Sequence, residues 1–225
     1  MQNDTSQSLE GTKLLPIMQH HPSKWIVDIG ANDGFNLSNS NLFIREGWMA
    51  LLVEPVPKSI SKAKVIHGSN RNVKFEEVAI SNRTGTAKIF LNKSGEDNFF
   101  ATLETEKSFL RDKFVGENFI LVKTEKLNVV LKRNNVPLNF AILTVDVEGY
   151  ESEVLENLGN YQPSVIIVER NLSSLSKALA KQKILTGRNY VLAARIGCNE
   201  IYIDTESEYI EKYIRDFEEI SSIGI

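Results

Sequence analysis

The sequence has a single cysteine and no long apolar run. Cys198 alone cannot form an internal disulfide or a cysteine-rich zinc site, and its Gly-Cys-Asn context indicates a turn residue rather than a nucleophile. No apolar run has the length of a membrane span, and the N-terminus lacks the apolar core of a signal peptide. A cytoplasmic protein is therefore expected.

The chain also lacks an excess of basic residues. Lysine and arginine together number 26, and aspartate and glutamate 29, which gives a formal net charge of −3 at pH 7. A large nucleic-acid footprint needs a basic face, so nucleic acid is an unfavourable partner. The length of 225 residues suits one α/β domain with a full core but not comfortably two.

Apolar runs typical of strands alternate with helical patterns along the chain, which predicts one domain over residues 1–225. Such alternation is typical of a Rossmann-like, doubly wound, mostly parallel sheet, here of seven strands. Residues 190–196 and 200–204 flank a turn and predict a C-terminal antiparallel hairpin. Residues 73–80 and 86–91 flank a turn that contains Gly85 and predict an inserted β-hairpin.

The two ends of the chain and one long loop have less regular patterns. Residues 1–8 are predicted to be frayed, residues 9–22 to contain an N-terminal helix, and residues 209–220 to form an amphipathic helix. Residues 92–116 form a long polar loop that contains two adjacent phenylalanines. This loop is either a lid or acceptor surface, or a segment whose phenylalanines enter the core.

The most informative stretch is a short strand that leads into a glycine turn. Residues 25–29 are apolar apart from Asp28, and residues 36–47 are predicted to form a helix. The turn between them contains Gly30, Asn32 and Gly34. Glycines let the backbone approach a ligand closely, and a helix N-terminus presents free N–H groups. This order of elements is the first crossover of a nucleotide-binding sheet.

The spacing within this turn decides between nucleotides. A dinucleotide fingerprint would need glycine at positions 32 and 35, which hold Asn32 and Phe35, so a nicotinamide oxidoreductase is disfavoured. The carboxylate of Asp28 would repel a pyrophosphate but suits a ligand with an amino group and a sulfonium, as in S-adenosylmethionine. An ordinary strand-to-helix turn without a ligand is the alternative.

A second acid follows the next predicted strand. Residues 48–53 are apolar and are followed by Glu54 and Pro55, and proline ends the strand because it lacks an N–H. Glu54 lies 24 residues after Gly30, close to the offset of roughly 20 at which an acid reaches the ribose hydroxyls of a bound nucleotide.

Several carboxylates fall at or just past the carboxyl ends of predicted strands, where open α/β sheets bind ligands. They are Asp28, Glu54, Asp146, Glu148 and Glu169. So many carboxylates would repel one another and raise their pKa values unless a cation offsets the repulsion. Candidate cations are the sulfonium and amino group of a cofactor, Arg170, a divalent metal, or a proton held by a general base.

Four segments together resemble the FkbM-type methyltransferases. They are residues 27–34, residues 53–55, residues 78–81 followed by Gly85, and residues 145–151. The resemblance covers residues 24–170, and its most specific part is the Asp-Val-Glu-Gly-Tyr-Glu block that begins at Asp146. It implies a class I fold and S-adenosylmethionine-dependent methylation, usually of a hydroxyl on a sugar, a glycan or a small secondary metabolite.

The resemblance also implies roles for the residues of the glycine turn and the first two strand ends. The methionine part of the cofactor would be held by Asp28, Gly30, Asn32 and Gly34, and its ribose by Glu54.

The same resemblance places Asp146 and Glu148 where an acceptor hydroxyl approaches the methyl group. Asp146 is the first candidate for the general base and Glu148 the second. Alternatively, Asp146 and Glu169 could hold Mg²⁺, which would lower the pKa of the acceptor hydroxyl. His67, the only histidine in the middle of the chain, is a further candidate base.

Two other functions stay open. A non-catalytic cofactor-binding partner domain would keep the glycine turn and Glu54, but it should have lost the acids around Asp146. An RNA ribose methyltransferase would need a basic groove, which the acidic composition disfavours.

Overall fold

The computed structural model describes residues 4–90, 119–170, 174–207, 210–211 and 213–215 of the chain. The predicted loop at residues 92–116 lies outside these residues, as does about half of the helix predicted at residues 209–220. Within the described ranges, no helix is long and apolar enough to cross a membrane.

Strands and helices alternate through most of the chain. The strands are β1 (Trp25–Ile29), β2 (Met49–Val53), β3 (Val73–Glu76), β4 (Ala79–Ile80), β5 (Gly85–Phe90), β6 (Phe119–Glu125), β7 (Ile142–Val145), β8 (Val165–Glu169), β9 (Tyr190–Ile196) and β10 (Asn199–Asp204). The helices are α1 (Glu10–Met18), α2 (Asn41–Arg45), α3 (Pro57–His67), α4 (Leu127–Arg133), α5 (Glu151–Glu156) and α6 (Leu175–Gly187).

The main sheet has seven strands in the order β3-β2-β1-β7-β8-β10-β9. The first five of these pair in parallel, whereas β10 runs antiparallel to both β8 and β9. Parallel neighbours need a crossover connection, usually a helix, which explains the alternation seen in the sequence. The predicted doubly wound sheet with a C-terminal antiparallel hairpin is confirmed.

Helices cover both faces of this sheet, and successive strand residues point to opposite faces. On β1, Ile26 packs in the core beside α1, α2 and α3, whereas Val27 and Ile29 pack in the core beside α4 and α5. Burial on both faces explains the nearly continuous apolar sequence of the strands. Asp28 therefore shares the face of Ile26, which α2 covers.

The inserted strands pair differently from the prediction. β3 pairs with β2 only as far as Glu76, opposite Val53, because β2 ends there before Glu54 and Pro55. The chain then leaves the main sheet, and β4 pairs in parallel with β6 in a second sheet of order β4-β6-β5. The antiparallel partner of β5 is β6, not the segment that precedes β5.

Helix α2 begins at Asn41, five residues later than residue 36, so the prediction of a helix directly after the glycine turn is wrong. Oδ1 of Asp33 accepts hydrogen bonds from the backbone N–H groups of Phe35 (3.0 Å) and Asn36 (2.8 Å). These bonds compete with helix formation and hold a turn instead. Residues 35–40 consequently form a polar loop between the glycine turn and α2.

The start of the chain is tied to α1 from Asp4 onward, although residues 1–8 are predicted to be frayed. Oδ2 of Asp4 accepts a hydrogen bond from the N–H of Thr12 at 2.5 Å. The buried carboxylate of Glu10 accepts hydrogen bonds from the N–H of Ser8 at 2.8 Å and from Nδ2 of Asn199 at 2.9 Å. These contacts fix the segment beside the turn between β9 and β10.

Candidate active site

The carboxyl ends of β1, β2 and β7 lie level with one another. Ile29 is in register with Val53 on one side and with Val145 on the other. The residues that follow the three strands are Gly30, Glu54 and Asp146. The backbone N–H of Gly30 donates to the Val53 carbonyl, and that of Asp146 to the Ile29 carbonyl, each at 2.9 Å. Three of the predicted site residues are thus neighbours at the carboxyl ends of adjacent strands.

Gly30 is a point of very close backbone approach. Its φ is +88°, and a Cβ at this position would lie 1.7 Å from the carbonyl oxygen of Asp146. Asn32 also has a left-handed backbone, with φ +49°. Glycine adopts such conformations at little cost, whereas other residues are strained there. The turn therefore requires glycine at position 30.

An open cleft lies at the carboxyl ends of these strands. Its apolar lining consists of Ile29, Val53, Pro55, Val78, Ala79, Ile80, Ile89 and Val147. The remaining lining residues are Gly30, Asn32, Glu54, Asp146, Glu148 and Tyr150. Five of the predicted site residues line one cleft.

The carboxylate of Glu54 is held rigidly within this cleft. Its Oε2 accepts a hydrogen bond from the N–H of Asn32 at 3.0 Å, and its Oε1 accepts one from the N–H of Val56 at 2.8 Å. Burial raises the pKa of Glu54 to about 7; the nearby charge of Asp28 adds to this rise, and the two backbone hydrogen bonds oppose it. The side chain is thus a fixed pair of acceptors.

Asp28 and Gly34, both predicted to bind the cofactor, do not line this cleft. Asp28 points to the opposite face, where its Oδ2 accepts a hydrogen bond from Ser40 Oγ at 2.5 Å. Burial raises the pKa of Asp28 to about 6, and the hydrogen bond from Ser40 opposes the rise.

Gly34 has a packing role. Its φ is +67°, and a Cβ there would lie 2.9 Å from Cδ1 of Leu52. Its carbonyl accepts a hydrogen bond from Nε2 of the buried His67 at 2.8 Å. His67 therefore supports the glycine turn from below and does not line the cleft, which makes it a poor candidate for the base.

Asp146 has the most perturbed environment of the site. Burial raises its pKa well above the ordinary value, and the negative charges of Glu169, Glu148, Glu151 and Asp28 raise it further. The pKa of Glu169 is also raised, first by burial and then by Glu151, whereas Lys181 lowers it. This edge of the sheet therefore favours a bound proton or a cationic ligand.

The loop after Asp146 is held from two sides. Glu148 and Gly149 both have left-handed backbones, with φ of +53° and +103°. The N–H of Gly149 donates to Oε1 of Glu151 at 2.8 Å, and Nζ of Lys177 donates to the carbonyl of Gly149 at 3.1 Å. Sequence reasoning missed Lys177, because its contact depends on how α6 packs against this loop.

Glu169 lies beside a buried lysine. Nζ of Lys181, a side chain that is 2% exposed, donates to the Glu169 carbonyl at 2.6 Å and lies 3.1 Å from Oε2 of Glu200. Among the described residues, no group of three or more His, Cys, Asp or Glu side chains is arranged to hold a metal ion. The predicted Mg²⁺ site at Asp146 and Glu169 thus gains no support.

Cys198 lies in the turn between β9 and β10, as the sequence predicts. Burial raises the pKa of its thiol to about 11, and the charges of Glu169 and Asp146 add to the rise. The thiol is therefore protonated at neutral pH and is a poor nucleophile.

Comparison with sequence families gives a clear result. Residues 28–210 match the family model described as the methyltransferase FkbM domain. No curated protein matches the chain.

Solved structures resemble the chain in fold. Monomeric WbdD matches with a TM-score of 0.51 at 10% identity, over 90% of this chain and 42% of WbdD. The chain thus spans less than half the length of that protein. Precorrin-6y C5,15-methyltransferase from Geobacter metallireducens GS-15 matches with a TM-score of 0.48 at 13% identity, over 89% of this chain and 88% of the other. A putative O-methyltransferase from Klebsiella pneumoniae matches with a TM-score of 0.47 at 10% identity, over 90% and 83%.

Proposed function

The chain belongs to the methyltransferase FkbM domain family, and on that premise we propose that it transfers a methyl group from S-adenosylmethionine to a hydroxyl group. The acceptor we propose is a sugar, a glycan or a small secondary metabolite. One observation carries the proposal: Gly30, Glu54 and Asp146 line a single cleft. Hydrogen bonds hold the carboxylate of Glu54 in place, and other carboxylates crowd that of Asp146.

The residues of the cleft fit this cofactor. Glu54 presents a carboxylate held in one orientation, which suits the paired hydroxyls of a ribose. Val53, Val78 and Ile80 are among the apolar residues that would contact the adenine ring. At Gly30 the missing side chain leaves the backbone free to approach the ligand.

The charge of the site fits as well. S-adenosylmethionine supplies an electrophilic methyl group on a positively charged sulfur. Burial raises the pKa values of Asp28, Glu54 and Asp146, and repulsion from neighbouring carboxylates raises those of Glu54 and Asp146 further. A nearby positive charge would therefore stabilise these carboxyl groups in their ionised form. A cationic ligand would therefore gain electrostatic binding energy that a neutral ligand would not.

Asp146 is the group we assign as general base. A hydroxyl is a weak nucleophile at neutral pH, and the carboxylate of Asp146 would accept its proton as the oxygen takes the methyl group. Its raised pKa makes it a stronger base than an ordinary carboxylate, and such a base is typically worth about 10²–10⁴-fold in rate. Glu148, on the same side of the cleft, is the second candidate.

Positioning would contribute more than the base. Holding an acceptor oxygen in line with the bond that breaks can lower a barrier by up to ~7–11 kcal/mol. The loop that carries Glu148 and Gly149 is held by Glu151 and Lys177, so its lining residues have a defined place. An acceptor held against this loop would meet Asp146.

The first test is calorimetric titration of the protein with S-adenosylmethionine and, separately, with NAD. We expect micromolar binding of the first and none of the second. The protein is then incubated with methyl-labelled cofactor and a panel of sugar and metabolite hydroxyls, and label transfer is measured. Binding of S-adenosylmethionine without methyl transfer to any acceptor would favour the non-catalytic partner domain. Binding of neither S-adenosylmethionine nor NAD would overturn the proposal.

A further inference from the structure

Arg170 directly follows the last residue of β8, at the carboxyl ends of the parallel strands. Its backbone N–H donates to the Cys198 carbonyl at 2.7 Å, which continues the pairing of β8 with β10 by one residue. The backbone of Arg170 is therefore held as part of the sheet. The sequence makes its side chain a candidate cation that could offset the acids at the strand ends.

Strand alternation places the side chain of Arg170 on the face of the sheet that carries the cleft. Successive residues of a strand point to opposite faces, so Arg170 shares the face of Val168, and Glu169 points to the other face. Val168 packs in the same core cluster as Ile29 and Val53, both of which line the cleft. Arg170 is thus a cation on the cleft side of β8.

The guanidinium of Arg170 has no partner in the part of the chain that the structure describes. Its Nε is buried and makes no hydrogen bond, and no acid among the described residues forms an ion pair with it. Glu200 is an acid on the same face, paired in register with Val168. Its carboxylate is already occupied, because it lies 3.1 Å from Nζ of Lys181 and 3.3 Å from Nε of Arg195. A buried charged donor without an acceptor is costly, which indicates a missing anion.

Two lysines of α6 connect the end of β8 with the loop after β7. Lys177 and Lys181 are four residues apart, so they share one side of the helix. Nζ of Lys181 donates to the Glu169 carbonyl at 2.6 Å, and Nζ of Lys177 donates to the Gly149 carbonyl at 3.1 Å. One side of α6 therefore contacts both segments, and the loop after β7 lines the cleft. Arg170, adjacent to Glu169, lies beside this loop.

We propose that the guanidinium of Arg170 binds a negatively charged group, a carboxylate or a phosphate, on the methyl acceptor. The inference rests on the proposed function and assigns its acceptor to the acidic sugars and metabolites. A planar guanidinium presents parallel N–H donors that match the paired oxygens of a carboxylate or a phosphate. An acceptor held in this way beside the loop after β7 presents its hydroxyl to Asp146. The positive charge also offsets the repulsion between an anionic acceptor and the acids of the site.

The first test uses inorganic phosphate and acetate as the smallest forms of the two anionic groups. Each anion is titrated into the protein, with and without S-adenosylhomocysteine, and binding is followed by nuclear magnetic resonance. We expect both groups or one of them to bind to the wild type. Arg170→Met keeps an apolar side chain but removes the guanidinium, so affinity should fall about 10–100-fold, the usual value of a hydrogen bond to a charged group. Arg170→Lys keeps the charge without the paired donors and should have an intermediate affinity.

Arg71→Met is the matched control, because Arg71 is an exposed arginine before β3, at the opposite ends of the parallel strands. It should bind the anions as the wild type does. The inference is overturned if the wild type binds neither anion, or if Arg170→Met binds them as tightly. Weaker binding of S-adenosylhomocysteine in Arg170→Met would also overturn it, because Arg170 would then hold the carboxylate of the cofactor. A wild type that binds the anions but not S-adenosylmethionine would overturn the proposed function alone.

Methyl transfer provides the second test. Glucuronate and glucose 6-phosphate carry a carboxylate and a phosphate, and they share their ring hydroxyls with neutral glucose. The KM of the wild type for one of the acidic sugars should be about 10–100-fold below that for glucose. Arg170→Met should raise this KM to the value for glucose while kcat stays within a few-fold of wild type. Preference for glucuronate would assign a carboxylate to the acceptor, and preference for glucose 6-phosphate a phosphate. Equal wild-type KM values for glucose and both acidic sugars would contradict the inference.

Discussion

Glu54 and Asp146 end the strands on either side of β1, yet they are held in opposite ways. Each oxygen of Glu54 accepts a backbone N–H, at 3.0 and 2.8 Å. The carboxylate of Asp146 accepts no hydrogen bond from the described residues and faces the charges of Glu169, Glu148 and Glu151. One carboxylate is fixed in place by its neighbours, and the other is surrounded by groups that favour its protonation.

This difference separates binding from chemistry within one cleft. A fixed acceptor recognises a hydroxyl pair with little loss of side-chain freedom, which suits cofactor binding. A carboxylate with a raised pKa and free lone pairs can accept a proton from a reacting group, which suits catalysis. The side of the cleft that carries Glu54 and the side that carries Asp146 meet at Gly30. Its backbone lies against the carbonyl of Asp146, and its N–H donates to the carbonyl of Val53 at the end of β2.

Replacing the glycine at this contact should have the largest effect. In Gly30→Ala, the new Cβ would lie 1.7 Å from the Asp146 carbonyl oxygen, so the backbone must shift. The left-handed conformation adds about 1–3 kcal/mol of strain. We expect calorimetric cofactor binding to be lost and urea unfolding to occur at lower concentration.

The matched control is Gly187→Ala at the end of α6, where an added Cβ meets no atom within 4 Å. Its binding should equal that of the wild type. Wild-type affinity in Gly30→Ala would show that the two halves of the cleft do not depend on this close approach.

Replacing each of the two acids in turn should separate their roles. Asp146→Asn removes the proton acceptor, so turnover should fall about 10²–10⁴-fold, a far larger change than that in cofactor affinity. Glu54→Gln places an amide N–H against a backbone N–H, so cofactor affinity should fall about 10–100-fold. Its turnover at saturating cofactor should remain within a few-fold of wild type.

Steady-state kinetics and calorimetry on both variants measure this separation. If both variants lose affinity and turnover in equal proportion, the division between a binding acid and a chemical acid is incorrect. If Asp146→Asn is fully active, Glu148 becomes the candidate base.

The strand ends were predictable, because buried apolar runs stop where an acid and a turn residue follow. Residues 142–145 followed by Asp146 predict the strand end from local sequence alone. The late start of α2 could also be read locally, since Asp33 and Ser38 favour turns and caps over helix interiors.

Other features depend on tertiary contacts that no local pattern contains. The face of Asp28 follows from strand alternation, but its hydrogen bond with Ser40 and that of Asn39 with Thr144 depend on the path of the loop. β3 ends early because β2 does, and Lys177 reaches Gly149 only through the packing of α6. Sequence therefore located the edge of the sheet and the acids on it, and tertiary packing determined which acids share the cleft.

The third prediction concerns the loop on the Asp146 side. Lys177→Met removes the donor to the Gly149 carbonyl and should lower turnover about tenfold, the usual value of a charged hydrogen bond. Cofactor affinity should not change, because Glu54 and its partners are untouched. Lys177→Arg should restore part of the turnover. Lys183→Met, an exposed lysine on the same helix, is the control. A fall in cofactor affinity with unchanged turnover would mean that Lys177 supports cofactor binding rather than the chemistry at Asp146.

The smallest expected effect is the pH dependence of stability in the ligand-free protein. The folded-state pKa values of Asp28 and Glu54 are raised to about 6 and about 7, above those of the unfolded chain. The stabilising contribution of such a group is fully present below its unfolded pKa and is lost as pH rises through the folded pKa. The free energy of unfolding should therefore decrease between about pH 4 and pH 7, by about 1.4 kcal/mol per unit of pKa shift for each group.

Asp28→Asn keeps an acceptor for Ser40 but cannot ionise, so urea unfolding at pH 5 and pH 8 should show a smaller decrease than in wild type. Equal decreases in the two proteins would mean that the carboxylate of Asp28 is as well solvated or paired in the folded protein as in the unfolded chain.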